Sequence, residues 1–432
     1  MDADLVVVGA GFSGLWAALH AVNDTPGRSV VVLEAETTGF GASGRNGGFL
    51  EASLTHGIAN GVSHWPGDLA ALERLGAENF ATIVHVIRDA SLDVGLEVTG
   101  ATAVATEPWH IDELEEAVEL YRQHGERVEL LDRPAMRARV DSPTYIGGLY
   151  VPDGTALVNP ARLAWGLRSL AESKGVVFRE DSPVRKVVRS GTSLVVEAPE
   201  GSVCTRKVLV ATNAYRGPVR SMRRYIVPVY DYVLMTEPLD AGQMASIGWD
   251  GREGLADASS QFHYYRLTTD NRILWGGYDA VYRFSNAVGS KYDAAGDTHR
   301  ILAEHFFATF PQLEGLTFTH RWGGPIATTT QFTATWGTSH DGDLSWVGGY
   351  TGLGVGASRF GARVALDLLD GRSSEVTELD MVRNRPMPFP PEPFRYVGIQ
   401  MTRKAIARSD AHGGRRGLWL KILDRFGVGF DS

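Results

Sequence analysis

Gly9, Gly11 and Gly14 stand in G-x-G-x-x-G spacing directly after the apolar run at residues 5–8, and a helical pattern follows them through Val22. In a strand–turn–helix unit the first glycine permits a tight turn. The second lets a pyrophosphate approach the backbone at the helix start, where Phe12 and Ser13 sit, and the third lets helix and strand pack closely. Glu34 closes a second apolar run, Val30–Leu33, twenty residues beyond Gly14, with Ala35 beside it. A carboxylate there accepts both hydroxyls of an adenosine ribose and repels a 2'-phosphate, so this spacing points to dinucleotide binding and away from NADP.

Seven residues later the chain reads GASGRNGGFLE, residues 41–51. An NAD site needs only the first βαβ unit for its adenosine half, so a second glycine-rich segment implies a longer ligand with a flat polar ring. Gly41, Ala42, Ser43, Arg45, Asn46, Gly47 and Gly48 are the candidates to run along it. A third segment starts at Val347, where Tyr350, Thr351, Gly352, Leu353 and Gly354 precede an apolar helical pattern through Leu369. Backbone amides gathered at such a helix start present a positive end to a ligand.

These elements need a frame to hold them. Asn159, Pro160 and Gly175 mark the cap, first position and end of another helix. Beyond Pro183, short alternating strands turn at Ser190-Gly191 and Glu200-Gly201 and return to a core strand ending at Ala211, followed by Thr212 and Asn213. Helical periodicity covers residues 111–123, and strand-like alternation covers residues 225–230, 264–267 and 272–276.

In its three glycine-rich segments the chain resembles the D-amino-acid oxidase superfamily of FAD proteins, which includes glycine oxidase, sarcosine oxidase and gamma-glutamylputrescine oxidase; GASGRNGG is most similar to the last. The resemblance implies a mixed α/β fold, a Rossmann-like FAD-binding domain with an inserted antiparallel-sheet substrate domain. By it, residues 1–90, 146–224 and 336–372 form the FAD domain and 91–145 and 225–335 the substrate domain; residues 373–432, past the resemblance, read by their composition as a basic C-terminal extension. It also places Val184 at the adenine and Ala211, Thr212 and Asn213 at a second contact with FAD.

The activity it implies is oxidation of an amine C–N bond to an imine, hydrolysed to a carbonyl compound and amine or ammonia, with O2 reduced to H2O2. An amino-acid oxidase and a flavin amine dehydrogenase with another acceptor are the alternatives. The substrate nitrogen must shed its ammonium proton, so a base or a desolvating pocket is needed. His56, His263, Tyr265 and Tyr215 are candidates for substrate contact, and Arg266 and Arg321 keep a carboxylated substrate in view because an arginine fork binds carboxylate. Where sarcosine oxidase has a substrate-carboxylate arginine, this chain has Glu51, which would repel a carboxylate and attract a cationic tail. No lysine occurs on the run 272–275, where sarcosine oxidase keeps one for oxygen.

Bulk composition is consistent with this reading. The chain has 432 residues, 44% of them hydrophobic, enough for two domains and a large buried cofactor. A net charge of -9 argues against nucleic acid. The single cysteine, Cys204, allows no intrachain disulfide and points to a reducing, cytoplasmic compartment; it also lies too early for a C-terminal covalent flavin link, so the FAD is expected to be non-covalent. The histidines show no metal-binding spacing, and no apolar stretch is long enough for stable membrane insertion. From residue 394 the chain holds eight Arg or Lys against three Asp, so this tail should pack on its own acidic body or on a second subunit of a homodimer, with membrane-surface contact as the rival.

Overall fold

The computed structural model describes residues 1–294 and 296–428; position 295 of the expected substrate domain and positions 429–432 of the expected extension lie outside the described residues. Its first sheet runs in the order Thr335–Ser339, Leu344–Gly348, Gly201–Val210, Asp2–Val8, Val30–Leu33 and Val177–Arg179. All neighbours pair parallel except Thr335–Ser339, which is antiparallel to Leu344–Gly348. Both faces are covered, which is why the strands read as unbroken apolar runs. Leu5 and Val7 pack beneath the helices Phe12–Asp24, Pro160–Ser173 and Gly354–Asp370, while Val6 and Val8 pack on the opposite face against the hairpin Lys186–Ser190 and Ser193–Ala198. Asn159 caps the second of these helices, its side chain accepting from the Arg162 N–H at 3.1 Å.

The second sheet is almost wholly antiparallel. Its order is Val281–Tyr282, Val227–Thr236, Ile273–Gly277, His263–Leu267, Gly254–Asp257, Ala101–Ala105, Gly147–Val151 and Glu129–Asp132, with Phe318–Thr328 also on Val227–Thr236. Only Gly254–Asp257 beside Ala101–Ala105 is parallel. One boundary needs correction: Gly147–Val151, placed by sequence in the cofactor domain from residue 146, pairs with Ala101–Ala105 and Glu129–Asp132 in this second sheet. Its alternation suits either sheet, and only the partner strands decide. One face of the sheet buries Tyr265 and Trp275 against Phe306 of the helix Gly296–Thr309 and Phe310 just beyond it; the other turns toward the first domain.

The tail folds back onto its own chain. Helices Phe394–Asp410 and Leu418–Arg425 bring Ile406 and Leu420 into burial, and Arg403 pairs with Asp279 of the second sheet's connecting loop. Among the described residues no helix is long and apolar enough to cross a membrane.

Candidate active site

A cavity of about 2180 Å³ opens between the two sheets and runs from Gly9 to the C-terminal helices. Ordinary small-molecule sites measure roughly 300–1,000 Å³, so there is room for a dinucleotide and a substrate together. The three glycine-rich segments meet along its first part. Phe12 N–H donates to Ser43 Oγ at 2.9 Å, which seats the 41–48 loop on the start of the first helix. Asn213 Oδ1 accepts from Gly349 N–H at 2.9 Å, and Ser13 Oγ donates to Tyr350 OH at 2.7 Å, which tie in the third segment. Gly9 has a φ of +105°, and a Cβ there would stand 2.7 Å from the Ala211 carbonyl oxygen. Such a turn accepts only glycine.

Two observations fit FAD to this cradle. Glu34 accepts from Ala10 N–H at 2.6 Å and Glu36 N–H at 3.1 Å, leaving acceptor capacity toward the cavity it lines. Thr212 Oγ1 and Ser358 Oγ are buried without a hydrogen-bond partner among the described residues, and both residues line the same cavity. The start of Gly354–Asp370, with Thr351 and Gly352 in left-handed backbone, faces it as well, as do Val184, Ala211 and Leu353. Val184 lies just before the hairpin strand Lys186–Ser190, not within it. Arg45 and Asn46 line the cavity, yet their polar groups are engaged in building the loop. Asn46 bonds to the Ala42 and Ser43 carbonyls and Gly48 N–H, and Arg45 to the Phe40 carbonyl, the Gly323 carbonyl and Asp293. Cys204 sits in the strand Gly201–Val210 opposite Asp2, away from the cavity.

The substrate-side candidates divide by strand alternation. In His263–Leu267, His263 and Tyr265 point away from the cavity and Tyr264 points into it. His263 Nδ1 lies 2.6 Å from Asp257 Oδ2 and its Nε2 lies 2.9 Å from His305 Nδ1, while Tyr265 OH lies 2.7 Å from Tyr145 OH. Both are therefore core residues, not substrate contacts; the period of two fixes a pair of neighbours on opposite faces, and Tyr264 is the one facing the cavity.

Arg266 is also corrected. It is buried and outside the cavity lining; its Nε donates to the Gly47 carbonyl at 2.5 Å and one amino group to the Val158 carbonyl at 2.9 Å. Burial lowers its pKa to about 10, which leaves it charged. Arg266 is thus a clamp joining the 41–48 loop to the chain before Pro160. Arg266→Met would leave both carbonyls unpaired and cost about 3 kcal/mol. The expected result is a lower melting temperature with an unchanged ratio of KM for an amino acid to KM for its decarboxylated amine. Arg321 is exposed on Phe318–Thr328 and does not reach the cavity. Tyr215 lines it on the cradle side, its ring against Gly41, and burial pushes its hydroxyl up to about 12.

Glu51 and His56 do face the cavity beyond the cradle. Glu51 ends the strand Phe49–Glu51, held by pairing with Thr155–Leu157 and by Gly356, where any Cβ would collide with the Glu51 carbonyl oxygen. Burial alone raises its carboxyl pKa, with no hydrogen bond or ion pair to the side chain among the described residues. His56 adopts a φ of +62°, and desolvation lowers its pKa, so it is a neutral imidazole.

Sequence reading did not single out Asp231. It lies on the cavity face of Val227–Thr236 with Val229 and Val233, and its Oδ2 accepts from Tyr264 OH at 2.5 Å. Burial pushes this carboxyl up to about 6, against the opposing hydrogen bonds from Tyr264 and the Tyr232 and Gly277 amides. An acid in an apolar strand was the available signal. Because the folded value lies above the ordinary 3.8, its contribution to stability is whole below that pH and is lost as pH rises through about 6. Among the described residues no cluster of acidic, histidine or cysteine side chains could hold a metal ion.

A βαβ dinucleotide cradle built from three distant segments, closed by a second sheet over one cavity, defines a flavin-dependent oxidoreductase. Residues 4–368 match the family model described as DAO, FAD dependent oxidoreductase. The chain belongs to that family. It is 32% identical over 396 residues to the gamma-glutamylputrescine oxidoreductase of Escherichia coli, covering 90% of this chain and 88% of that protein. It is 29% identical over 386 residues to the probable oxidoreductase OrdL of Haemophilus influenzae, 87% and 84% of the two chains. Its fold is like that of glycine oxidase from Geobacillus kaustophilus, with a TM-score of 0.74 at 18% identity over 89% of this chain and 99% of that one.

Proposed function

We propose that the protein oxidises the C–N bond of a cationic amine to an imine, which water hydrolyses to a carbonyl compound and the released amine or ammonia, with O2 reduced to H2O2. The observation that carries this reading is Glu51, a carboxyl facing the cavity with no counter-ion among the described residues, whose pKa is raised by desolvation alone. A cationic substrate relieves that cost, and a substrate carboxylate would add to it. FAD, when bound, supplies the two-electron acceptor. The chain's residues do the rest. Glu51 draws in the ammonium, and the neutral His56 imidazole or the ionised Asp231 takes the proton that nitrogen must lose before its neighbouring carbon gives up a hydride. The walls exclude water while this happens, so positioning and deprotonation are the protein's share of catalysis.

The test is anaerobic mixing of the holoenzyme with polyamines, gamma-glutamyl amines, N-methyl amino acids and D-amino acids. Flavin bleaching is expected with cationic amines, and under air one H2O2 should form per imine. Bleaching without peroxide would assign another acceptor; no bleaching by any amine would overturn the reading. Amine-dependent bleaching should also weaken below pH about 6 as Asp231 protonates. Tyr264 donates to the ionised carboxylate, so at saturating amine, where Glu51 is already ionised, Tyr264→Phe should move that acid limb to higher pH and Asp231→Asn should remove it with a rate loss of about tenfold or more; a limb that survives Asp231→Asn would assign the proton to His56.

A further inference from the structure

The C-terminal segment lies outside the family match, which ends at residue 368. It nevertheless lines the same cavity as Glu51, through Ile399, Thr402, Ile406, Trp419, Leu420 and Leu423. Facing it is the helix Pro108–Gln123, whose cavity side carries Trp109, Glu113, Glu116, Leu120 and Tyr121. Tyr121 is at the Glu51 end, where burial and, after it, the Glu51 charge raise its hydroxyl pKa, and Trp109 is at the tail end, its ring against Gly414. Twelve residues of helix separate the two, a distance of about 18 Å at 1.5 Å per residue.

The tail is anchored on elements that frame this space. Tyr282 OH lies 2.5 Å from Glu392, Gln261 N–H donates to Asp410 at 2.9 Å, Arg403 pairs with Asp279, and His64 Nε2 lies 3.1 Å from the Gly427 carbonyl. Trp419 Nε1 donates to Thr402 Oγ1 at 3.0 Å, locking the two tail helices together. The surface they offer the cavity is apolar at Ile399, Ile406, Trp419, Leu420 and Leu423, and its cations are paired, Arg395 with Asn286, Arg403 with Asp279 and Arg416 with Asp424; the cradle end holds Glu51, beside Gly356, and Asp231, whose partner Tyr264 stands against Gly47. A ligand matching both ends has a cationic nitrogen and a long hydrocarbon arm.

We propose that the C-terminal segment is the outer wall of the substrate site and determines specificity, selecting amines whose apolar arm extends along Pro108–Gln123 to Ile399 and Trp419. This rests on the amine reading above. Each buried methylene strengthens binding, so affinity should rise with arm length until the wall is met.

The test uses the full-chain holoenzyme and the Kd for a series from ethylamine to n-octylamine, obtained from anaerobic flavin reduction. Kd is expected to fall at least tenfold along the series. Ile399→Trp, which fills the far end, should raise Kd for n-octylamine at least fivefold more than for ethylamine. Trp419→Ala, which empties it, should move the optimum to a longer amine. Opposite shifts from two variants of one wall are not produced by a general loss of folding. A Kd independent of arm length, or variants that change every amine by the same factor, would overturn the wall while leaving amine oxidation standing. If no amine reduces the flavin, the amine reading itself fails.

Discussion

A Gly14→Ala protein should be purified without flavin and with a depressed melting temperature. The added Cβ would fall far inside van der Waals contact with the Gly9 carbonyl oxygen, with the Gly9 carbonyl carbon at 3.0 Å and Val7 Cγ1 at 3.3 Å. These are atoms of the first strand and its turn, which are held by pairing on both sides and buried on both faces, so the clash is not relieved by a side-chain rotation. Overpacking of this kind costs about 3 kcal/mol or more, and relief by separating helix from strand would open the turn that the pyrophosphate requires. Gly67→Ala is the matched control, because a Cβ there meets nothing within 4 Å. The absorbance ratio of flavin to protein and a thermal melt read both outcomes; normal flavin content in Gly14→Ala would refute the packing argument.

Glu51→Gln should keep its flavin and lose affinity for cationic amines. Two unit charges about 4 Å apart attract by about 4 kcal/mol at an effective dielectric near 20. Part of that is offset by dehydrating the ammonium, so a net loss of about 2–3 kcal/mol, roughly 30- to 150-fold in Kd, is expected. The side chain makes no hydrogen bond among the described residues, and the backbone contact with Gly356 is untouched by the substitution. There is a pH signature. The Glu51 carboxyl titrates above its ordinary value in the free protein, so amine binding must ionise it, and Kd should tighten as pH rises through that raised pKa. Glu51→Gln should lose this dependence. An unchanged Kd for every amine turned over would remove Glu51 from the substrate site.

How much was legible depended on whether a residue's role is local. The turn of Gly9, Gly11 and Gly14 is specified by backbone sterics within a few residues, and so are the Asn159 cap and the glycine-rich start of Gly354–Asp370. The same holds for the apolar runs of the first sheet, because burial on both faces leaves no alternation to misread. Strand His263–Leu267 shows the opposite case. Its sequence marks three aromatic or imidazole side chains in a row, yet which of them faces the cavity depends on register against Ile273–Gly277 and Gly254–Asp257, and a shift of one residue exchanges the faces.

Arg266 follows the same rule. From sequence its planar fork keeps a carboxylate receptor in view beside a structural role, but the carbonyls of Gly47 and Val158 occupy it, and neither is near it in the chain. Asp231 and the cavity-facing side of the C-terminal segment were only faintly legible for a related reason: an acid among valines and a basic tail acquire meaning only from what is packed opposite them. By itself the sequence determined the cofactor, since phosphate-binding turns are written in consecutive glycines and a spaced carboxylate. Only the tertiary structure decided which side chains face the cavity beyond the cradle, because a pocket built from one face of a sheet, one face of a helix and a returning tail is defined by long-range register, which short stretches of chain do not encode.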